Sequence, residues 1–456
     1  KIISGPANLI VADIPTPLFI PFAYFPVQNE KSSGFIMPSY GHSENLGYNF
    51  RNGGWYFAIN DYLDLTLRGD IYTMGSWRLK AQSSYRKRYS HNGSLNINYA
   101  KNLLGERGLS NFQDRRDFFI NWTHNQDSKA HPNKRFSAKV NAGSSSYNQL
   151  NSYQSNDYLQ NTLSSNISYS YSWANKPFNF SANLRHNQNT LNNSINLSLP
   201  DLAFSMNRIQ PFKQKKSIGK EKWYEKINMT YNANAKNQLQ TTDSLLFTNE
   251  SLKKMRYGIQ HRIPISSSFK ILKHITASPT ANYTERWYFN RIEKSWNEDS
   301  LRIEKDTIPG MRAVRDFNTS FRLNTKIYGL YQLNSKKIKA IRHVITPSLS
   351  FNYRPDFSEE KWGYYDWTVR DTLGNQENYS YFGEGIYGTA PSGKSGSIGL
   401  SIDNNLEIKL RNDKDTIAQE KKIILFRNLN FRGNYNLAAD SFKLSNISIN
   451  GRTELL

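Results

Sequence analysis

The sequence predicts an all-β protein, a large antiparallel transmembrane β-barrel, from three observations. Apolar residues make up 38% of the chain and the mean hydropathy is -0.70, yet aromatics reach 14%, with 28 Tyr, 25 Phe and 9 Trp. In a membrane barrel only alternate residues meet lipid, so the average is hydrophilic while interfacial girdles consume aromatics. The dominant periodicity is two, the spacing of side chains on one face of a strand. No stretch approaches the roughly 18 apolar residues of a transmembrane helix. The nearest candidate, Ile14 to Val27, is broken by Pro15, Pro17, Pro21 and Pro26.

Taken in order, residues 1–30 read as the end of a preceding domain and a linker, because proline at this density cannot occupy a central strand. Residues 31–456 read as barrel. Leu95, Ile97 and Tyr99 alternate with Ser94, Asn96 and Asn98. The pattern returns at Ile167 to Trp173, Phe178 to Leu184, Ile227 to Ala233, Phe321 to Ile327, Leu349 to Tyr353, Ile398 to Ile402 and Leu429 to Tyr435. Roughly 16 to 18 such strands are expected, each near the about 9 to 11 residues that cross a bilayer obliquely. Their polar partners are chiefly Asn, Ser, Thr, Gln and Arg, which suits a wet interior. Tyr85, Tyr89, Trp122, Trp173, Trp287 and Tyr288 are expected at the interfaces.

Short turns are expected at Asn60-Asp61, His91-Asn92-Gly93, Ala174 to Pro177, Asp403 to Asn405 and Ala439-Asp440, from their turn chemistry. Longer connections are expected at Lys101 to Arg116, Gly143 to Gln160, Pro200 to Lys222, Arg291 to Arg315 and Pro355 to Lys394. The chain ends at Leu456 without an aromatic terminal residue, so an incomplete barrel is expected.

Composition also bounds the chemistry. There is no cysteine, hence no disulfide, thiolate metal site or cysteine nucleophile. The formal charge of +22 is scattered, and no nucleic-acid-binding signature accompanies it, so no nucleic-acid partner is expected. An anionic lipid suits the charge. The eight histidines lack metal-like spacing, and His124, His186 and His261 are expected on strand faces. Glu359, Glu360, Asp366 and Asp371 miss the spacing of a calcium loop. No phosphate-cradling glycine loop occurs, so ATP would act elsewhere. Neither an enzyme nor a cofactor or metal is expected.

Five segments, in order from residue 14 to residue 350, carry a resemblance: IPTPLFIPFAYFP at 14–26, GFIMPSYG at 34–41, WYFAINDYLDLTL at 55–67, GDIYT at 69–73 and RHVITPSLS at 342–350. Together they resemble the outer-membrane lipopolysaccharide-assembly family LptD (OstA), in its Bacteroidota-like form. That resemblance implies a periplasmic jelly roll, present here as its last strands in residues 1–30, followed by a wide barrel. It implies a translocon that places lipopolysaccharide in the outer leaflet of the outer membrane through a lateral seam between first and last strands. The implied partners are lipopolysaccharide, an LptE-like lipoprotein plug and a periplasmic lipopolysaccharide-transport bridge.

Under this resemblance Gly34 to His42 is the first barrel strand and Leu46 to Ile59 the second. Pro38 lacks an amide donor and belongs at an edge. The apolar phase of the second strand switches at Asn52-Gly53-Gly54, which predicts a bulge or kink. Pro38, Ser39, Tyr40, Gly53 and Gly54 are therefore the candidate lateral gate, an ordinary strand-end proline being the alternative. Leu18, Phe19 and Phe22 are candidates for the lipid groove exit, or for buried linker anchors. Two departures stand out: the second strand has no proline, and without cysteine no disulfide control can operate.

On Trp77 to Tyr89, Arg78, Lys80, Arg86 and Arg88 share the face opposite Trp77, Leu79, Ala81 and Tyr85. They are candidates to line the lumen and attract a phosphorylated glycolipid. The alternative is that they solvate a wet interior or pair with carboxylates. A passive porin, a plugged substrate receptor and a structural subunit of an envelope complex are the competing functional classes.

Overall fold

The computed structural model describes residues 2–11, 14–20, 23–25, 31–44, 46–106, 108–152, 155–214, 219, 221–246, 248–333, 335, 337–411 and 420–453. Four short strands come first: β1 (Ile2–Ser4), β2 (Ala7–Val11), β3 (Ile14–Ile20) and β4 (Ala23–Phe25). β1 pairs with β4 and β2 with β3, as two separate two-stranded sheets. Both strands of a two-stranded sheet are edges, which is why β3 tolerates Pro15 and Pro17.

Twenty-one further strands among the described residues belong to one antiparallel sheet, the class the alternation predicts but more than the roughly 16 to 18 strands expected, because Gly34–Ile36, Ser39–Ser43, Phe269–Ile271 and Ile327–Gln332 are short pieces. They begin with β5 (Gly34–Ile36), β6 (Ser39–Ser43), β7 (Gly47–Asn60), β8 (Leu63–Tyr72), β9 (Trp77–Lys87), β10 (His91–Leu104), β11 (Gln113–Gln126) and β12 (Lys134–Gly143). They continue as β13 (Thr162–Ser172), β14 (Phe178–Asn189), β15 (Ser194–Ile209), β16 (Asn228–Thr242), β17 (Arg256–Ser266), β18 (Phe269–Ile271), β19 (Ile275–Asn297), β20 (Arg302–Asn324), β21 (Ile327–Gln332) and β22 (Ile338–Arg354). A separate hairpin, β23 (Tyr365–Val369) with β24 (Gln376–Ser380), precedes β25 (Ser395–Arg411), β26 (Glu420–Asn436) and β27 (Ser448–Arg452). No helix among the described residues is long and apolar enough to cross a membrane. The chain divides into two compact units, residues 1–170 with 183–197 and 239–253, and residues 171–182 with 198–238 and 254–456.

In the first unit, one row of cross-strand neighbours runs Trp55, Leu67, Ala81, Ile97 and Ile120 over β7 to β11. Trp55, Leu67 and Ile97 of that row are each more than 40% exposed. On the opposite face Thr66, Asp70, Arg78, Asn102 and Asp117 are buried. In the second unit Phe321, Phe351, Ile398 and Tyr435 form the equivalent exposed row. A water-soluble sheet hides its apolar face, and this one hides polar groups and presents apolar ones, the arrangement a lipid-facing sheet requires.

Five expected boundaries are corrected, two of them because strands run farther than expected: Pro200 to Ile209 belongs to β15, and the two ends of Lys101 to Arg116 belong to β10 and β11. His91-Asn92-Gly93 is the start of β10, and the turn lies at residues 88–90. Gly93 is needed there because Tyr85 lies over it, and a Cβ would stand 2.3 Å from the Tyr85 Oη. Asp403 to Asn405 lies within β25, where the register shifts between Asn404 and Leu406 instead of turning. Arg291 to Arg315 is no long loop, because β19 and β20 stay paired out to Asn297 opposite Arg302.

Pro355 to Lys394 is a connection, as expected, but a folded one. Phe357, Tyr364, Phe382 and Ala390 form a core with Tyr288 of β19 and Val314 of β20. Tyr288, expected at an interface, is therefore 2% exposed and stacked on Phe382 at 5.3 Å.

Candidate functional site

The first barrel strand is interrupted where the sequence places Pro38. β5 and β6 both pair with β7, with Ile36 opposite Gly54 and Ser39 opposite Arg51, and the ladder lapses over Met37 and Pro38 between them. Without an amide hydrogen, Pro38 cannot donate to the ladder. Ser39 Oγ donates instead to the Arg51 carbonyl at 3.3 Å. Tyr40 is exposed and stacks on Tyr48 with centroids 6.2 Å apart.

The bulge expected in the second strand is present. The β7–β8 register shifts between Phe50 and Gly53, and Asn52 takes φ 59°, a left-handed conformation Asn tolerates. Gly53 faces Pro38, and a Cβ there would lie 3.0 Å from the proline Cβ. Gly54 is more constrained: a Cβ would come within 1.9 Å of the Leu67 carbonyl oxygen.

The chain entering this strand is pinned. Lys31 Nζ reaches Asp64 Oδ2 at 3.1 Å, and Ser33 Oγ accepts from the Ala58 amide at 2.9 Å. Its hydrogen bond to Asp64 raises the Lys31 pKa above its ordinary value.

Two of the four predicted lumen cations converge on the bulge. Asp70, 1% exposed, accepts from the Asn52 amide at 2.8 Å through Oδ1. Its Oδ2 lies 3.0 Å from Lys80 Nζ and 3.6 Å from Arg78 Nη1. Lys80 also donates to Asn52 Oδ1 at 2.9 Å, and Arg78 to the Asn151 carbonyl at 2.9 Å. Asp70 thus ties the candidate gate to the candidate lumen cations. Sequence reasoning did not single it out, although it stands in the GDIYT segment and its parity puts it on the face of Thr66 and Arg68.

Arg86 and Arg88 lie apart from this group, about 20 Å farther along the chain at strand rise. Arg86 lines a cavity of about 480 Å³ with Lys31, Asp64, Asn92 and Asn125. Arg88 lies beyond the end of β9 with its guanidinium 4.8 Å from the Tyr89 ring centroid. Leu18 and Phe19 belong to β3, and Phe22 lies outside the described residues.

Among the described residues no cluster of three or more His, Asp or Glu could hold a metal. Asp371, in the segment screened for calcium ligation, accepts from the amides of Leu373 and Asn375 at 3.0 and 3.1 Å and shapes the hairpin tip. Asp366 accepts from Tyr381 Oη at 2.8 Å.

Residues 2–456 match the family model described as LptD protein. The LPS-assembly protein LptD of Shewanella oneidensis is 31% identical over 118 residues, 26% of this chain and 14% of that protein. Its counterpart in Shewanella frigidimarina is 29% identical over the same shares, and that of Ectopseudomonas mendocina 28% identical over 26% of this chain and 12% of that protein. The aligned stretches thus span no more than 14% of these relatives' own length. The solved alcaligin outer membrane receptor FauA from Bordetella pertussis aligns over 90% of this chain and 65% of that chain, at 8% identity. Its TM-score of 0.18 is too low to bear on the fold. The family match runs through both the interrupted strand and the bulged one, and on that ground the chain belongs to the LptD protein family.

Proposed function

We propose that this chain supplies the amino-terminal and middle strands of an outer-membrane translocon that inserts lipopolysaccharide into the outer leaflet through a lateral seam at the strand carrying Pro38. The observation that carries the reading is the interrupted pairing of that strand. β5 and β6 hold β7 over three and five residues, whereas β10 and β11 pair without a break over 14. Each ladder hydrogen bond is worth about 0.5–1.5 kcal/mol net, so two short runs separate at far lower cost than one long run. A strand that must bend aside to admit a lipid needs that weakness. Support for the substrate comes from family membership and from relatives that bear the name LPS-assembly protein.

On this reading residues 1–30 end a periplasmic jelly roll, and Leu18, Phe19 and Phe22 lie where acyl chains leave its groove. Residues 31–456 form barrel strands, with Pro38, Ser39, Tyr40, Gly53 and Gly54 as the gate. Arg78, Lys80, Arg86 and Arg88 serve the passage of charged sugars. An LptE-like lipoprotein fills the lumen, a periplasmic bridge delivers the lipid, and no bond is made or broken by the chain itself.

A cysteine-free chain makes the test clean. Ser39→Cys is paired with a cysteine on the closing strand of the complete barrel in cells. Oxidation is expected to stop lipopolysaccharide reaching the surface, and reduction to restore it. Unimpaired surface lipopolysaccharide with the crosslink formed would refute the seam.

A further inference from the structure

Two neighbouring turns at one end of the sheet are laced together. The Ser90 amide donates to the Lys87 carbonyl at 3.0 Å and closes the β9–β10 turn, and the Ala130 amide donates to the Asp127 carbonyl at 3.0 Å after β11. The Asp127 amide donates in turn to the Ser90 carbonyl at 2.8 Å. Lys87, Arg88 and Lys129, all exposed, thereby share one rim. The Arg88 guanidinium lies 4.8 Å and the Lys129 ammonium 5.4 Å from the Tyr89 ring centroid. None of the three cations has an ion pair among the described residues. Asp127 is the carboxylate of this rim, and its Oδ1 accepts from the Lys129 amide at 2.9 Å. Arg86, Lys87, Arg88, Tyr89, His91 and Asp127 line a cavity of about 320 Å³. Tyr89 holds φ 59°, a left-handed conformation that strains a residue with a side chain, and such strain gathers at ligand sites.

The rim also has a depth. Tyr85 and Trp122 stand just inside it, in the parity of Ala81 and Ile120 on the lipid-facing side, and Trp122 Nε1 donates to Tyr85 Oη at 3.0 Å. Tyr and Trp with satisfied polar tips mark the level where hydrocarbon meets head groups. The cations beyond them therefore lie at head-group depth. Lys31, Asp64 and Arg86 share one cavity, so this is the end of the sheet at which the chain enters.

We propose that Lys87, Arg88 and Lys129, organised by Tyr89, dock on the anionic head groups of glycerophospholipid in the leaflet at that end. On the translocon reading residues 1–30 are periplasmic, so this is the periplasmic leaflet. The leaflet rests on that reading, and the attraction to anionic head groups on the rim itself. A phosphodiester head group meets guanidinium as a planar fork of donors and ammonium as a point charge. Basic side chains at this depth gain from an anionic surface. Tyr89 holds two of them in place before the lipid arrives. The predicted lumen cations then divide: Arg78 and Lys80 surround Asp70, while Arg88 serves the rim with Lys87 and Lys129, residues the periodicity did not select.

The test titrates the purified full chain, in uncharged detergent, with short-chain phosphatidylglycerol, with phosphatidylcholine of the same chain length, with free glycerol phosphate and with bisphosphorylated lipid A, and follows binding by calorimetry. Wild type is compared with Lys87→Gln/Arg88→Gln/Lys129→Gln and with the charge-matched control Arg115→Gln/Arg116→Gln/Lys253→Gln, whose three cations are exposed elsewhere. Each basic residue near an anionic surface contributes about fivefold in affinity, so the rim variant is expected to bind phosphatidylglycerol about a hundredfold more weakly. The control is expected to bind it as wild type does, and phosphatidylcholine to bind neither. Wild-type binding should weaken as salt is added. Tyr89→Gly, which suits the left-handed turn, should keep or raise the Tm and still weaken binding, whereas a purely structural tyrosine would lower the Tm. Unchanged affinity in the rim variant, an equal loss in the control, or equal binding of the two phospholipids overturns the site. Lipid A binding more tightly than phosphatidylglycerol, or free glycerol phosphate binding as tightly, overturns the phospholipid leaflet as occupant. Depletion in cells separates the two readings. If rim-dependent binding holds while surface lipopolysaccharide persists, the translocon reading fails and the head-group site stands.

Discussion

Asp70 meets Asn52 through one carboxylate oxygen and Lys80 and Arg78 through the other. Asp70→Asn keeps the shape but leaves two cations facing a neutral group. Removing one member of a buried ion pair costs about 3–5 kcal/mol, less here because Lys80 partly reaches water. Asp70→Asn should therefore lower the unfolding midpoint in urea, and an unchanged midpoint would show that the network carries no stability. Gly54→Ala should destabilise as well, because the Cβ meets a backbone carbonyl that cannot swing away. A loss of about 1–3 kcal/mol or more is expected, measured in the same titration. At this scale the sequence was only partly legible. Parity put Asp70, Arg78 and Lys80 on one face, but which cation meets the carboxylate depends on the β8–β9 register, set by the turn at residues 73–76. The Asn92-Gly93 pair has hairpin chemistry, yet Gly93 serves to seat the Tyr85 ring, a need that arises only once β9 and β10 are paired.

Residues 355–394 show how an element departs from its sequence signature. Their polarity and glycine content read as a plain loop, but Phe357, Tyr364 and Phe382 gather on Tyr288 and Val314, partners remote in sequence. Phe357→Ala should cost about 3–5 kcal/mol of local stability. Ion and proton chemistry bounds the same element. Hydrogen bonds from Ser358 and the Gly393 amide hold the Asp356 carboxyl below the ordinary value of 3.8, and those from Asn375 and Leu373 do so for Asp371. Burial, with the hydrogen bond to Asp366, pushes the Tyr381 phenol up to about 12, and burial pushes Tyr387 to about 12. A depressed carboxyl stabilises above pH 3.8 and loses its contribution as pH falls through its lower folded value. A raised phenol stabilises below pH 10 and loses its contribution as pH rises towards 12. A spin label on Leu373→Cys, at the exposed hairpin tip, should keep one mobility between about pH 4 and 10 and loosen on either side. In Phe357→Ala the label should be mobile throughout. Constant mobility in both proteins would contradict the packing. The outer halves of β19 and β20, between Arg291 and Arg315, were missed for a related reason, since their charged residues break the apolar alternation that marked the rest.

Across the whole molecule the reading rests on which alternate side chains face hydrocarbon. The period of two made the strands legible, and it alone could not say which face was wet. The paired registers supply that answer, with exposed rows such as Trp55, Leu67 and Ile97 set against buried Asp70, Arg78 and Asn102. About 25 cal/mol per Å² of apolar surface withdrawn from water makes such rows untenable in water and stabilising in lipid. Because the chain has no native cysteine, single labels can be placed at will. The decisive measurement is the collision of spin labels at successive positions 64 to 71 and 94 to 99 with oxygen and with a polar nickel chelate, in lipid bilayers. Labels at Leu65, Leu67, Gly69, Ile71, Leu95, Ile97 and Tyr99 should favour oxygen, and those at the even-numbered positions between them the chelate. Chelate access at the apolar positions, or protection of them from both reagents, would mean that they face water or a protein core, and the membrane assignment would fall.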